Sequence, residues 1–225
     1  MAFSPPANAS GHVSIREDDG WIATAIYPDI DGDSGVEELA RDRAADITKS
    51  DQHDFIVWAK GDVKANGKPD SQYAYDSTPT ISVDRHDLIS LVWTNDWDMG
   101  GEHPVQNYDV CSVGLVHGKP KVLTLSDLFT AKVDATSIAA QAVIAELQKD
   151  PDAIDVQQGK LTAKTPGLVG QFYVGETCLA FILSPSISGR FAINGDTIVK
   201  VPYTELTGLD VDGPLAPLLK AAKNH

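Results

Sequence analysis

Hydrophobic and polar positions along the chain follow first the two-residue period of strands, then the period of a helix, then two again. Val13 to Tyr27 alternates and is rich in β-branched and aromatic residues, broken once at Asp18-Asp19-Gly20. Trp21 to Tyr27 reads as a strand that Pro28 stops, because proline lacks the N–H that a ladder needs. After the polar loop Asp29-Ile30-Asp31-Gly32-Asp33, Ser34 and Glu37 stand at capping-box spacing, which satisfies free amides at a helix start. Val36, Leu39, Ala40, Ala44, Ile47, Phe55 and Trp58 then recur at helical spacing with charges between them. The pattern predicts one long amphipathic helix to about Lys60, weakened at Ser50-Asp51 and ended by the break from Gly61 to Pro69.

From Gln72 the strand period returns. Tyr73-Ala74-Tyr75, Thr80-Ile81-Ser82-Val83 and Leu88 to Thr94 are predicted strands, and Met99 to Pro104 a tight, glycine-built turn. Val105 to Val116 comes back as a strand, and His117-Gly118-Lys119-Pro120 is a hairpin turn feeding Lys121 to Leu123. Ser126 to Phe129 is one helical turn. Asp134 caps a second helix to Lys149, with Ile138, Ala142, Ala145 and Leu147 on its buried face and Asp150-Pro151 as its stop. Gly170 to Val174 and Thr177 to Ser184 form a hairpin across Gly175-Glu176. An irregular loop from Ser184 to Asn194, a strand from Asp196 to Val201 and a short tail helix near Leu215 to Ala222 follow. Strands and helices are interspersed without strict βαβ alternation, so the predicted class is α+β with largely antiparallel sheets. The expected organisation is a flexible tether over 1–11, an N-terminal α+β module over 12–84, a C-terminal α+β module over 85–213 with the glycine turn, and a tail helix over 214–225.

Composition narrows the function classes. A chain of 225 residues buries a proper core, and its 42% hydrophobic and 22% charged residues are ordinary for a globular protein. The net charge of −14 is not ordinary, and it argues against nucleic acid or an anionic lipid surface as partner. No run approaches the ~18 apolar residues of a membrane-spanning helix. Met1 to Gly11 is rich in Pro and small residues, the kind of tether that follows a removed signal peptide or lipid anchor, and it sets the expectation of a periplasmic or extracellular location; a native cytosolic tail is the alternative. Cys111 and Cys178 lie in apolar strand-like runs without a Cys-x-x-Cys spacing. Two buried thiols acting as small hydrophobes are favoured over a disulfide.

Two constellations carry candidate chemistry. His103 sits in a glycine-rich turn near Glu102, Asp96 and Asp98, and a histidine–carboxylate pair is able to act as general acid and base. A small hydrolase using His103 and Glu102 is therefore one alternative, although Gly-x-Ser-x-Gly, His-Glu-x-x-His and a Walker loop are all missing. In the structural reading, Gly100 and Gly101 supply positive φ for a turn. Asp29-x-Asp31-x-Asp33 begins like a calcium loop, which makes a calcium-binding envelope protein the other alternative. A helix-loop-helix site needs Gly and Glu where this chain has Ser34 and Ala40, and acids before a helix start also complement its dipole. No cofactor is called for.

Ile89-Ser90-Leu91, Gly100-Gly101-Glu102-His103, Leu123-Thr124-Leu125-Ser126-Asp127-Leu128-Phe129 and Val201-Pro202-Tyr203-Thr204-Glu205-Leu206, in that order, resemble a bacterial envelope domain of unknown function. That domain forms the outer part of the anti-sigma factor RsiV and the non-catalytic part of the peptidoglycan deacetylase PdaC. Trp21 to Pro28 and the long helix are similar to the smaller module that usually precedes it. The resemblance implies an extracytoplasmic, mostly non-catalytic domain that binds an envelope protein or a peptidoglycan fragment, lysozyme being the partner in one branch. This chain departs from the pattern in two places. It has Glu102 and Pro104 around the histidine where the family has Ala and Gly, and Ser184-Pro185-Ser186-Ile187-Ser188-Gly189 replaces a Tyr-Glu-containing segment.

Loops on a rigid scaffold tend to carry function. The expected docking surface combines the Asn95 to Pro104 turn with the Ser184 to Gly195 loop, and its candidate ligand-binding residues are Asp96, Trp97, Asp98, Gly100, Gly101, Glu102, His103, Ser186 and Ser188. Trp97 offers contact area at low entropy cost, and the acids would steer a basic, lysozyme-type partner.

Overall fold

The structure is a computed structural model that describes residues 12–18, 20–101, 104–188 and 196–222; the expected tether lies outside them. Strand β1 (Val13–Asp18) turns through Gly20, at φ 110°, into β2 (Trp21–Ile26). Helix α1 (Gly35–Asn66) starts at the predicted capping box, with the Glu37 amide donating to Ser34 Oγ at 3.3 Å and the Ser34 amide to Glu37 Oε2 at 2.7 Å. The helix runs past Lys60 and straight through Gly61, correcting the expected end. An interior glycine costs only ~1 kcal/mol relative to alanine, whereas Gly67, at φ 85°, and Pro69 stop the helix outright.

Nor does the helix weaken at Ser50-Asp51. Its buried stripe, Val36, Ala40, Ala44, Thr48, Gln52, Phe55, Ile56 and Ala59, is continuous, and its polar members have sheet partners. Trp93 Nε1 donates to Thr48 Oγ1 at 3.0 Å, and Gln52 Nε2 donates to the carbonyls of Ala23 and Ser14 at 3.0 and 3.1 Å. A hydrophobic count misses these positions because they are buried by hydrogen bonding.

Strands β3 (Tyr73–Arg85), β4 (Leu88–Asp98), β5 (Val105–Val116) and β6 (Lys119–Val122) complete a six-stranded sheet in chain order. Every neighbouring pair is antiparallel except β2–β3, the parallel pair that α1 bridges. The two short strands expected on either side of Pro79 are one strand. Pairing with β2 ends at Ser77, so Pro79 withholds a donor from a side with no neighbour, and a bulge follows between Ile81 and Val83. Asn95 to Asp98, expected in the turn, belong to β4, because their ladder continues to β3 and β5. The β5–β6 turn is only His117-Gly118, both at positive φ (52° and 74°) as a tight hairpin requires. α1 covers one face of this sheet through Ile89, Leu91, Trp93, Cys111 and Val113, and through Trp21, Ala23, Tyr73 and Tyr75 further along.

A second antiparallel sheet, β7 (Gln171–Val174), β8 (Cys178–Leu183) and β9 (Thr197–Pro202), stacks on the other face. The central β8 is buried on both sides, which explains its unbroken apolar run. Ala180 and Ile182 meet Val92 and Val110 of the large sheet, while Leu179, Phe181 and Leu183 meet helix α2 (Ala135–Leu147). Asp134 Oδ1 caps α2 by accepting from the Ser137 amide at 3.0 Å. Ala139, Ala140, Ala142, Val143 and Leu147 form the buried face, whereas Ala145, expected inside, is exposed. One-turn helices α3 (Ile154–Gln157) and α4 (Pro185–Ser188) follow, α4 within the stretch expected to be irregular, and α5 (Ala216–Ala222) forms the tail.

The class is α+β, as the periodicities imply. The boundary expected near residue 84 falls at the β3–β4 hairpin, so residues on both sides of it share one sheet. Both cysteines are free thiols, Cys111 buried and Cys178 half-buried. No helix among the described residues is long and apolar enough to cross a membrane.

Candidate functional site

Of the residues that carry the resemblance, Ser90 joins the two sheets, and Tyr203 and Asp127 brace the small sheet and the 3-10 turn. Ser90 Oγ and Ser112 Oγ lie 2.8 Å apart and accept from the Val174 amide at 3.0 and 3.3 Å, while Ser82 Oγ donates to the Val174 carbonyl at 2.8 Å. Tyr203 of the Val201–Leu206 motif donates from its hydroxyl to the Gly175 carbonyl at 2.6 Å. Asp127 of the Leu123–Phe129 motif accepts from Thr124 and from Lys121 Nζ at 2.7 Å. These three motifs make structural contacts.

The far halves of β3, β4 and β5 bring together part of the expected surface. Trp97 points to the α1 side and packs edge-on against Phe55 and Tyr75, with ring centroids 5.5 and 5.6 Å away, so it closes an aromatic cluster and is half-buried. Asp96 and Asp98 alternate to the opposite face, where Asp96 lies directly between Asp76 of β3 and Gln106 of β5. Gln106 Nε2 donates to Asp96 Oδ1 at 2.9 Å, and Tyr108 donates to Gln106 Oε1 at 2.7 Å. Asp196, at the start of β9, closes the group: its amide donates to the Gln106 carbonyl at 3.1 Å and its Oδ2 accepts the Tyr108 amide at 3.1 Å. Partial burial, reinforced by the Asp96 charge opposite, raises the Asp76 carboxyl. Burial likewise raises Asp196, and burial with the nearby Asp96 and Asp196 charges raises the Tyr108 phenol. Paired carboxylates of β3 and β4 are thus joined, across Gln106 and Tyr108 of β5, by one from the edge of the other sheet. Alternation identifies Asp96, but Asp76 and Asp196 join only through pairing that the sequence does not display.

At the turn, Gly100 has φ 77°, its amide donates to Asp98 Oδ1 at 3.0 Å, and a Cβ there would come within 3.0 Å of the Tyr73 ring. Gly101 is exposed. Glu102 and His103 lie outside the described residues, as does 189–195 of the expected partner loop. Ser186 is exposed on α4, with its Oγ 2.8 Å from that of Ser184, and Ser188 ends that helix turn. Ile187 between them lies against Gly167.

A second titratable group lies under α1 and has no hydrophobic signature. Asn95 Nδ2 donates to Asp109 Oδ2 at 2.6 Å and reaches Asp51 Oδ2 of α1 at 3.5 Å, and Tyr75 donates to Asn95 Oδ1 at 3.2 Å. The two carboxyl groups are close enough for each to influence the other's titration. Burial, with the Asp109 charge beside it, pushes Asp51 up to about 7, and burial also raises Asp109.

The Asp29–Asp33 loop is organised by an internal cation: Arg41 Nη1 donates to the carbonyls of Ile30 and Gly32 at 2.7 and 2.8 Å. Among the described residues, no three His, Cys, Asp or Glu side chains are placed to hold a metal ion.

No protein-family profile matches the chain, and no curated protein sequence does. Solved structures share its fold. A DUF3298 family protein from Pseudomonas aeruginosa PAO1 is similar over 89% of this chain and 92% of its own, with TM-score 0.51 and 11% identity. A DUF3298 family member from Bacteroides fragilis NCTC 9343 is similar over 89% and 88%, with TM-score 0.51 and 14% identity.

Proposed function

We propose that this chain is a non-catalytic, extracytoplasmic binding domain that recognises a basic envelope protein of the lysozyme type, or a peptidoglycan-linked peptide, through the acidic face of β3, β4 and β5. The observation that carries this reading is the meeting of Asp76, Asp96 and Asp196 around Gln106 and Tyr108. Like charges directly opposite one another cost stability, so a face that keeps them is suited to a cation arriving from outside. A net charge of −14 steers such a partner over longer range. The fold shared almost end to end with DUF3298 proteins agrees with the resemblance that first implied an envelope-binding role.

The test is a binding assay against lysozymes and peptidoglycan fragments at two salt concentrations. Asp76→Asn with Asp96→Asn should weaken binding about tenfold or more and flatten its salt dependence. Trp97→Ala is a poorer probe, since it opens the aromatic cluster. No binding to any of these partners, or binding that the double substitution leaves intact, would overturn the reading. Hydrolase activity lost in His103→Ala would favour the catalytic alternative.

A further inference from the structure

Among the described residues β1 has β2 as its only neighbour, so it forms one edge of the large sheet. The other edge, β6, carries Lys119, Pro120 and Lys121, the residue types with which sheet edges prevent pairing. β1 has neither lysine nor proline. Near its centre stands Ile15, 61% exposed and the most exposed large hydrophobic side chain described.

The directions of its backbone groups are fixed by β2. The Tyr27 amide donates to the His12 carbonyl at 2.9 Å, so His12, Ser14, Arg16 and Asp18 bond inward. By alternation the amides and carbonyls of Val13, Ile15 and Glu17 point out of the edge, and an added strand has to meet those three residues. One antiparallel register lets a second copy of this chain do so along the whole of 12–18. Ile15 then lies opposite its own copy, Val13 opposite Glu17, Ser14 opposite Arg16 and His12 opposite Asp18, so no charge meets its like. Registers centred on Arg16 or Glu17 set that residue against itself, and one centred on Ser14 leaves Glu17 and Asp18 beyond the copy's strand.

We propose that two copies of this chain join edge to edge at β1, about a two-fold axis at the Ile15 pair, into one continuous sheet. The interface is small, below the ~1,200 Å2 of stable ones, so the dimer is weak, with a Kd of about 10–100 μM. Ser14 Oγ donates to Gln52 Oε1 of α1 at 3.2 Å, which puts Ile15 on the face away from α1, in register with Thr24, Asp76, Asp96 and Gln106. The two-fold axis stands perpendicular to the sheet and keeps both acidic faces on one side, with Asp76 about 24 Å from its copy at ~4.8 Å per strand. A partner with two basic patches is then held at both. The dimer itself does not depend on what that face binds.

Sedimentation equilibrium of the full chain from about 5 to 500 μM should show reversible dimerisation. Because each copy carries a charge of −14, added salt should tighten the dimer, the opposite of its effect on a basic partner. Ile15→Lys sets two ammonium groups opposite each other and should raise Kd about tenfold or more, while Ile15→Val should leave it within about threefold. The exposure of Ile15 means that neither substitution disturbs the core. Disulfide trapping reads the register: residues 14 and 16 of the two copies form a non-hydrogen-bonded pair, where Cα atoms stand ~4.5 Å apart and within disulfide reach. An oxidised mixture of Ser14→Cys and Arg16→Cys chains should therefore crosslink in excess over either variant alone. A monomer throughout the range, a dimer that Ile15→Lys leaves intact, or crosslinking of one variant with itself in preference to the mixture would each overturn the proposal.

Discussion

Asn95 Nδ2 stands between two carboxyl groups that cannot both be charged cheaply, one on α1 and one on β5. Because burial raises the folded-state values of Asp51 and Asp109, the folded chain binds more protons than the unfolded chain between about pH 4 and 7. Stability from this pair is therefore full in acid and is lost as pH rises through about 7. The charged groups facing it are Asp54 of α1 and, beyond Asp109, Asp196; both are acidic and sharpen the same trend. Asp51→Asn replaces the proton with a permanent donor to Asp109. The variant should be more stable than the parent at pH 8 by about 1–2 kcal/mol, less than the bare shift implies because the pair is partly solvated, and the gap should close by pH 5. Urea unfolding at the two pH values measures it. An identical pH slope in parent and variant would show that the pair shares no proton.

At the scale of elements, α1 does the most to position the candidate acidic face, because Phe55 fixes Trp97 and Tyr75 from one side while Asp96 and Asp76 emerge on the other. Gly61 is its weakest interior link. Nothing lies within 4 Å of a Cβ built there, so Gly61→Ala should stabilise the protein by up to about 1 kcal/mol and raise Tm without altering the fold; an unchanged or lower Tm would mean that the helix does not run through residue 61 in solution. The capping box, the period of α1 and the hairpin glycines were legible in the sequence because each depends on residues a few positions apart. Ser50-Asp51 reads as a weak point because the partners that hold Thr48, Asp51 and Gln52, namely Trp93, Asn95 and Ala23, are far away in sequence. Pro79 looked like a strand end since only the topology shows that β2 stops before it. The same reason governs the site. Asp96 and Trp97 were legible as neighbours, but that they face opposite ways follows from β4 extending to Asp98, and Asp76, Asp196, Gln106 and Tyr108 enter only through strand pairing.

For the molecule as a whole, the layers are coupled by polar contacts as well as by the core. The Ser82, Ser90 and Ser112 hydroxyls fix Val174 of the small sheet to β3, β4 and β5, and the largest apolar cluster runs from Val83 and Leu88 through β8 to α2. The β3–β4 ladder crosses the division proposed near residue 84, and α1 packs on strands from both sides of it. Two modules joined in this way have little freedom to unfold separately, because exposing either uncovers the sheet shared with the other. Calorimetry should therefore show one transition whose van't Hoff and calorimetric enthalpies agree. Ser90→Ala with Ser112→Ala removes both acceptors of the buried Val174 amide, so stability should fall by about 1–3 kcal/mol. The transition should move to lower temperature without splitting. Two resolved transitions in the parent would establish 12–84 and 85–213 as separate folding units, and splitting only in the double variant would show that the serine junction alone couples the sheets. A single shifted transition would mean that a partner bound at the acidic face stabilises the entire chain, since any ligand specific to the folded form then draws on one common equilibrium.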